Sequence, residues 1–270
     1  MTSLFNPATG VLASLDLLQI SLDDSVAHVR LNRPAKRNAI SDTLIQQLHT
    51  CFINLPEHVK AAVVSGEGEH FCAGLDLSEL VERDIGSGVL HSRMWHAAFD
   101  AIQFGRVPVV AVLHGAVVGG GLELASTCHI RVAEASTYYG LPEGQRGIFV
   151  GGGGSVRIPR LMGVARMTDL MLTGRVYDAN EGLQVGLAQY LVPDGEGLAK
   201  GIALARRIAT NAPMSNYAVM HALPRIADQA QSEGLLTESL MAAVAESTPD
   251  AQSRLRAFLE GRAGKVVKGS

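Results

Sequence analysis

The sequence predicts an α/β protein, on three observations. Short β-branched and apolar runs alternate with stretches of helical apolar spacing through residue 141. From Gly163 onward strands become scarce and one helical pattern follows another. The chain has 270 residues, 47% of them hydrophobic, which is enough to bury a substantial core. We therefore expect a core over residues 1–162 that holds the functional site. A helical region over 163–270 would pack on that core or on another subunit.

Residues 1–16 read as a mobile lead-in. Residues 17–20 and 26–31 flank the turn-rich Leu22-Asp23-Asp24-Ser25 and predict a hairpin. After the polar loop 32–39, Ser41 and Asp42 are good caps, and Leu44, Ile45, Leu48 and Phe52 recur at helical spacing. Residues 61–65 form a buried strand, and a helix is expected from Ser78. Gly86 and Gly88 place a flexible insertion at 83–90, of the kind that covers sites, ahead of a helix carrying Met94, Trp95, Ala98 and Ile102. Strands follow at 108–113, 130–133 and 137–141. Helices are expected at 165–172, 179–185, 198–209, 214–226, 234–245 and 249–260, the last opened by Thr248-Pro249 as cap and first-turn proline.

Charged residues make up 18% and the net charge is −3, which argues against nucleic acid or a membrane surface as the main partner. No basic segment precedes an apolar run at the N-terminus, and the apolar run 107–122 is broken by His114 and glycines, so neither a signal peptide nor a membrane span is expected. Cys51, Cys72 and Cys128 are scattered, which suits a reducing cytoplasm. Cys72 reads as a buried filler rather than a nucleophile, because no Lys or Arg stands near it in sequence. The nine histidines form no spaced metal set, so no metal is expected. The run Gly151 to Gly154 lacks the Gly-Lys-Ser/Thr ending of a phosphate loop, and Ser126 and Ser155 lack a His or Asp partner.

Chemistry concentrates in residues 111–125, a buried strand, three glycines and a helix start with Glu123 in its first turn. Glycines allow close backbone approach, and the helix start leaves N–H donors unpaired beside a positive dipole end. Glu143 follows Pro142 at another strand end. Two carboxylates in a partly apolar pocket can work as acid and base on one water. Each glutamate taken alone could equally be structural, Glu143 for instance pairing with Arg146. The turn at Gly74 and Leu75 and the glycine run at Gly120 could each aim an N–H at an oxyanion, where loss of one donor costs about 3 to 4 kcal/mol of transition-state stabilisation.

Four segments, LNRPAKRNAI, HFCAGLDLSEL, HGAVVGGGLELASTCHIRVA and GLPEGQRGIFVGGGGSVRIPRLMG, together resemble the crotonase, or enoyl-CoA hydratase/isomerase, superfamily over nearly the whole chain. The resemblance implies a spiral of ββα units followed by a helical trimerisation region. It also implies an acyl-CoA thioester substrate with no separate cofactor and no metal, and a homotrimer or dimer of trimers. By motif, Leu75 and Gly120 would form the oxyanion hole, and Glu123 and Glu143 the catalytic pair that marks a hydratase. Gly151 would position the water, and Lys36, Arg37, Ala39, Ala73, Asp76 and Phe258 would contact CoA. The implied activity is hydration of a 2-enoyl-CoA to a 3-hydroxyacyl-CoA. The alternatives are a Δ3-Δ2 enoyl-CoA isomerase, another crotonase reaction, or a non-catalytic acyl-CoA binder.

The sequence departs from the family pattern in four places. Val150 stands where a proline is frequent and Gly152 where an alanine is, which would widen that side of the pocket. Gly261 stands where a CoA-phosphate lysine is common, leaving Arg262 or Lys265 to replace it. Arg146 would lower the pKa of Glu143 and leave it less able to hold the proton a general acid donates.

Overall fold

The computed structural model describes residues 5–79 and 81–262. It divides into two compact units, residues 1–209 and 210–270. The boundary expected at 162/163 therefore lies inside the first unit. Met167, Leu170 and Leu187 join the main core, and the helix Gly197–Ala209 covers the outer face of the large sheet through Ala205 and Ala209. The apolar residues of these segments are buried in the core of the first unit.

The large sheet has seven strands: β1 (Asn6–Pro7), β2 (Leu18–Leu22), β3 (Val26–Leu31), β4 (Ala61–Gly66), β5 (Val109–Leu113), β7 (Ile130–Glu134) and β10 (Tyr190–Val192), hydrogen-bonded in that order. β2 and β3 are the expected hairpin, and β3, β4, β5, β7 and β10 run parallel. A second sheet pairs β6 (Ala116–Val118), β8 (Tyr138–Gly140) and β9 (Val176–Asp178). Only His114 and Gly115 separate β5 from β6, so the chain steps between sheets in two residues and repeats the step from β7 to β8. Gly115 has φ 52°, and a Cβ there would lie 2.5 Å from His70 Nδ1, so the corner needs glycine. The successive pairs β5–β6, β7–β8 and β9–β10 each contribute one strand to each sheet. The period of two along β5 is explicit: Val109, Ala111 and Leu113 enter the main core, whereas Val110 and Val112 face the Gly197–Ala209 helix.

Helix α1 (Asp42–Ile53) is capped by the Ser41 side chain, which accepts from the Leu44 N–H, and buries Leu44, Ile45, Leu48, Cys51 and Phe52. Helix α2 (Ile85–Gln103) begins earlier than expected, so most of the flexible insertion placed at 83–90 is helical. Asp84 caps it by accepting from Ser87 N–H at 2.8 Å, which offsets the low helical propensity of Gly86 and Gly88. The helix expected from Ser78 is a single 3₁₀ turn, Leu77–Glu79. The expected mobile lead-in holds β1 and a 3₁₀ turn, Gly10–Ser14, with Ala8, Leu12 and Leu15 buried. Helices α3 (Gly120–Thr127) and α4 (Gly154–Met162) follow glycine turns.

The second unit is helical throughout its described part: Pro213–Tyr217, a π-turn at Ala218–Ala222, Leu223–Ala227, Gln231–Glu246 and Pro249–Leu259. Met220 is buried, while Leu236, Leu240, Phe258 and Leu259 are exposed. Among the described residues no helix is long and apolar enough to cross a membrane.

Candidate active site

One cavity of about 360 Å³ gathers Leu75, Gly120, Glu123, Glu143 and Gly151, with Trp95 and Phe149 among its apolar walls. Glu123 reaches it from the first turn of α3, whose entry at Gly119 has φ 53°. A Cβ on Gly119 would sit 2.8 Å from Glu143 Oε1, so this glycine both turns the chain and admits the second carboxylate.

The Glu123 side chain is buried, and its Oε1 accepts the Gly152 and Gly154 N–H groups at 2.8 Å each. Burial pushes its carboxyl up to about 7. The Gly154 N–H opposes that rise, the nearby Glu143 adds to it, and the Gly152 N–H and Arg157 oppose it. Glu143 lies on the 3₁₀ turn Glu143–Arg146, also buried, and its Oε2 has no hydrogen-bond partner among the described residues. Burial raises the Glu143 carboxyl as well. Its own backbone N–H and Arg146 pull downward, Arg146 in the direction expected, but burial outweighs both and leaves the carboxyl raised. Arg146 is too exposed for its charge to outweigh desolvation.

The two expected oxyanion donors meet across this cavity. Ile40 N–H donates to the Gly74 carbonyl at 2.7 Å, and Asp76 N–H to the Ile40 carbonyl at 2.9 Å. In such an extended pairing alternate amides face opposite sides, so the Leu75 N–H points away from Ile40. Gly120 is the first residue of α3, where N–H groups have no intrahelical acceptor. Neither amide donates to a protein acceptor among the described residues. A Cβ on Gly74 would come within 3.5 Å of the Gly120 nitrogen, so the two turns lie side by side.

Gly151 lines the cavity, but its carbonyl accepts from Ser92 Oγ at 2.6 Å, and the amides that hold Glu123 belong to Gly152 and Gly154. Gly152 does not widen the pocket as expected. A Cβ there would lie 2.9 Å from Phe99 and 3.0 Å from Trp95, so α2 closes on the loop in the space glycine leaves. Val150 is buried beside it.

Among the expected CoA contacts, Lys36 and Arg37 are exposed on the loop after β3, and Ala73 N–H donates to the Arg37 carbonyl at 3.0 Å. That bond joins the basic loop to the strand end carrying Leu75. Ala39 is half-buried there, its carbonyl accepting from Arg33. Asp76 is engaged by Arg33 at 2.8 Å and by Ser78, which hold its carboxyl at about 2, so it braces the loop from within. Phe258 belongs to the second unit and is exposed. Arg262 pairs with Glu260, and Lys265 lies outside the described residues.

Sequence reasoning missed Asn38, fully buried, whose side chain accepts from Arg33 N–H and donates to the Glu67 and His70 carbonyls. It also missed Ser92, Trp95 and His91 as cavity walls, His91 being bonded to Asp42 at 2.6 Å. The burial that pushes Cys72 up to about 12 agrees with its reading as a filler. Among the described residues no cluster of three or more His, Cys, Asp or Glu is placed to hold a metal ion.

The family profile described as Enoyl-CoA hydratase/isomerase matches residues 21–266. The chain belongs to that family. It is 30% identical to an enoyl-CoA hydratase of Mycobacterium tuberculosis over 87% of its own length and 90% of the relative's. It is likewise 30% identical to the 2,3-dehydroadipyl-CoA hydratase of Escherichia coli, over 91% and 96%. A crystal structure of a Rhodopseudomonas palustris protein put forward as an enoyl-CoA hydratase is 55% identical and superposes with a TM-score of 0.90, covering 96% of this chain and all of that one. These likenesses extend across both units and identify the two-sheet spiral as the crotonase fold.

Proposed function

We propose that this enoyl-CoA hydratase/isomerase family member adds water across the double bond of a 2-enoyl-CoA. The observation that carries the reading is the union of two buried glutamates, whose carboxyls burial raises, with two unpaired amides in one cavity. The thioester oxygen sits between the Leu75 and Gly120 N–H groups. A water lies between the carboxyl groups of Glu123 and Glu143. Glu123, whose Oε1 is held by two N–H donors, is stabilised as the charged acceptor and takes a proton from the water. The water oxygen bonds to C3, the C2–C3 π electrons move toward the thioester, and the resulting enolate oxygen is held by the two amides. Glu143, with Oε2 free of protein donors, carries the proton that reaches C2. Coenzyme A is part of the substrate, and we infer that no further cofactor or metal takes part.

The basic loop at Lys36 and Arg37, tied to Ala73, is assigned to the CoA phosphates and adenine, with Gly151 at the water's edge. Assembly as a trimer or dimer of trimers is supported by the exposed Leu236, Leu240, Phe258 and Leu259 on the helical unit. Three buried free thiols favour a reducing, cytoplasmic setting. The test is loss of conjugated-enoyl absorbance with crotonyl-CoA and with longer and branched enoyl-CoAs. CoA esters that bind while none is hydrated would defeat the proposal.

A further inference from the structure

Arg157, on α4, has a side chain only 10% exposed, and its three guanidinium nitrogens each have a separate acceptor. Nε donates to Gln103 Oε1 at 2.5 Å and Nη2 to Asp100 Oδ1 at 2.7 Å, both on α2. Nη1 donates to the Gly152 carbonyl at 3.0 Å. The loop folds so closely around the guanidinium that a Cβ on Gly153 would collide with Nη1. Gly152 is thus gripped from both sides, its N–H by Glu123 and its carbonyl by Arg157. The second donor to Glu123, Gly154, begins the helix that carries Arg157.

We propose that Arg157 is a positioning residue: it spans α2 and the glycine loop so that the Gly152 and Gly154 amides converge on Glu123. This rests on the hydratase reading of the site. A planar fork with fixed donor directions suits three acceptors set on two elements, and an ammonium on a flexible stem does not. The geometry matters because a displacement of a catalytic group by about 1 Å can cost on the order of 100-fold in rate. The charged groups acting on Glu123 are Glu143 and Arg157, and Arg157 in turn faces Asp100.

Arg157→Gln, Arg157→Lys and Asp100→Asn are compared with the wild type on crotonyl-CoA. In parallel the Glu123 carboxyl is titrated by ¹³C NMR in glutamate-labelled protein, with Glu123→Gln identifying its resonance. Arg157→Gln should lower kcat about 10- to 100-fold with KM within about threefold. The Glu123 titration and the acidic limb of the rate profile should move upward together. Arg157→Lys keeps the charge and should return the limb toward the wild-type position while recovering only part of kcat. Asp100→Asn should fall between Lys and wild type. A folded Arg157→Gln with wild-type kcat and an unmoved Glu123 titration overturns the proposal. So does a loss of rate that tracks melting temperature alone. A wild type that hydrates no enoyl-CoA defeats the hydratase reading, and the NMR titration then still decides whether Arg157 governs Glu123. If the Gln variant does not fold, the Lys and Asn variants carry the same two readings.

Discussion

The turns that carry Glu123 and Glu143 solve one problem in opposite ways. Glu123 projects from a helix whose eight residues are all buried, and one of its oxygens is saturated by two N–H donors. Glu143 opens a short 3₁₀ turn followed by exposed residues 144–149, and one of its oxygens has no partner among the described residues. Burial raises both carboxyls, so desolvation alone does not divide their roles. Under the proposed mechanism the hydrogen bonds do. A carboxylate stabilised by donors suits accepting a proton, and a carboxyl with an open oxygen suits holding one.

Replacing the carboxyls tests this contrast most severely. Glu123→Gln and Glu143→Gln should each lower kcat by about 10² to 10⁴-fold in the crotonyl-CoA assay. A large loss at only one of them would break the symmetry and point to a single-base isomerisation. Next in size are the glycines that seat the side chains. Gly154→Ala places a methyl 2.8 Å from Glu123 Cγ, and Gly119→Ala places one equally close to Glu143 Oε1 at a φ of 53°. Each should cost roughly 100-fold in kcat. Gly119→Ala should also lower stability by about 1 to 3 kcal/mol, measured by denaturant titration, because its backbone is strained as well.

Stability against pH separates the two roles from catalysis altogether. A carboxyl raised in the folded state favours folding fully below its unfolded pKa, and that advantage disappears as pH rises through the folded value. For Glu123 the window runs from the unfolded 4.5 to about 7. Glu123→Gln should therefore gain stability relative to the wild type between pH 4 and pH 8, on the order of 3 kcal/mol. A difference that stays constant with pH would mean that Glu123 titrates normally. The smallest effect is expected at Arg146. Arg146→Leu removes a charge that pulls the Glu143 carboxyl downward, so the alkaline limb of the rate profile should move to higher pH. Because Arg146 is exposed, kcat should change less than about threefold.

Much of the fold was legible because strand and helix periods are local. Residues 26–31 and 179–185 carry their own pattern, and the helix after Ser41 its own cap, while the reciprocal capping box of Asp178 and Glu181 came from the structure. The start of α2 was misread because Gly86 and Gly88 weigh against helix, and the Asp84 cap outweighed them. The glycine runs marked the site, since few other roles call for consecutive glycines before a carboxylate. Their division of labour was not legible. The amides that hold Glu123 lie 29 and 31 residues beyond it, and the Leu75 amide is turned toward the cavity by Ile40, far earlier in the chain.

The sequence by itself singled out residues that one cavity gathers: Leu75, Gly120, Glu123 and Glu143 are turn and helix-start residues, and turn chemistry is set by neighbours in the chain. Only the tertiary structure decided what those residues can do. Whether a carboxyl keeps its proton depends on the water removed around it and on the donors brought to it, and both come from segments remote in sequence. The same holds for Arg157, whose meaning arises only when α2 and the Gly151–Gly154 run are folded together around its guanidinium.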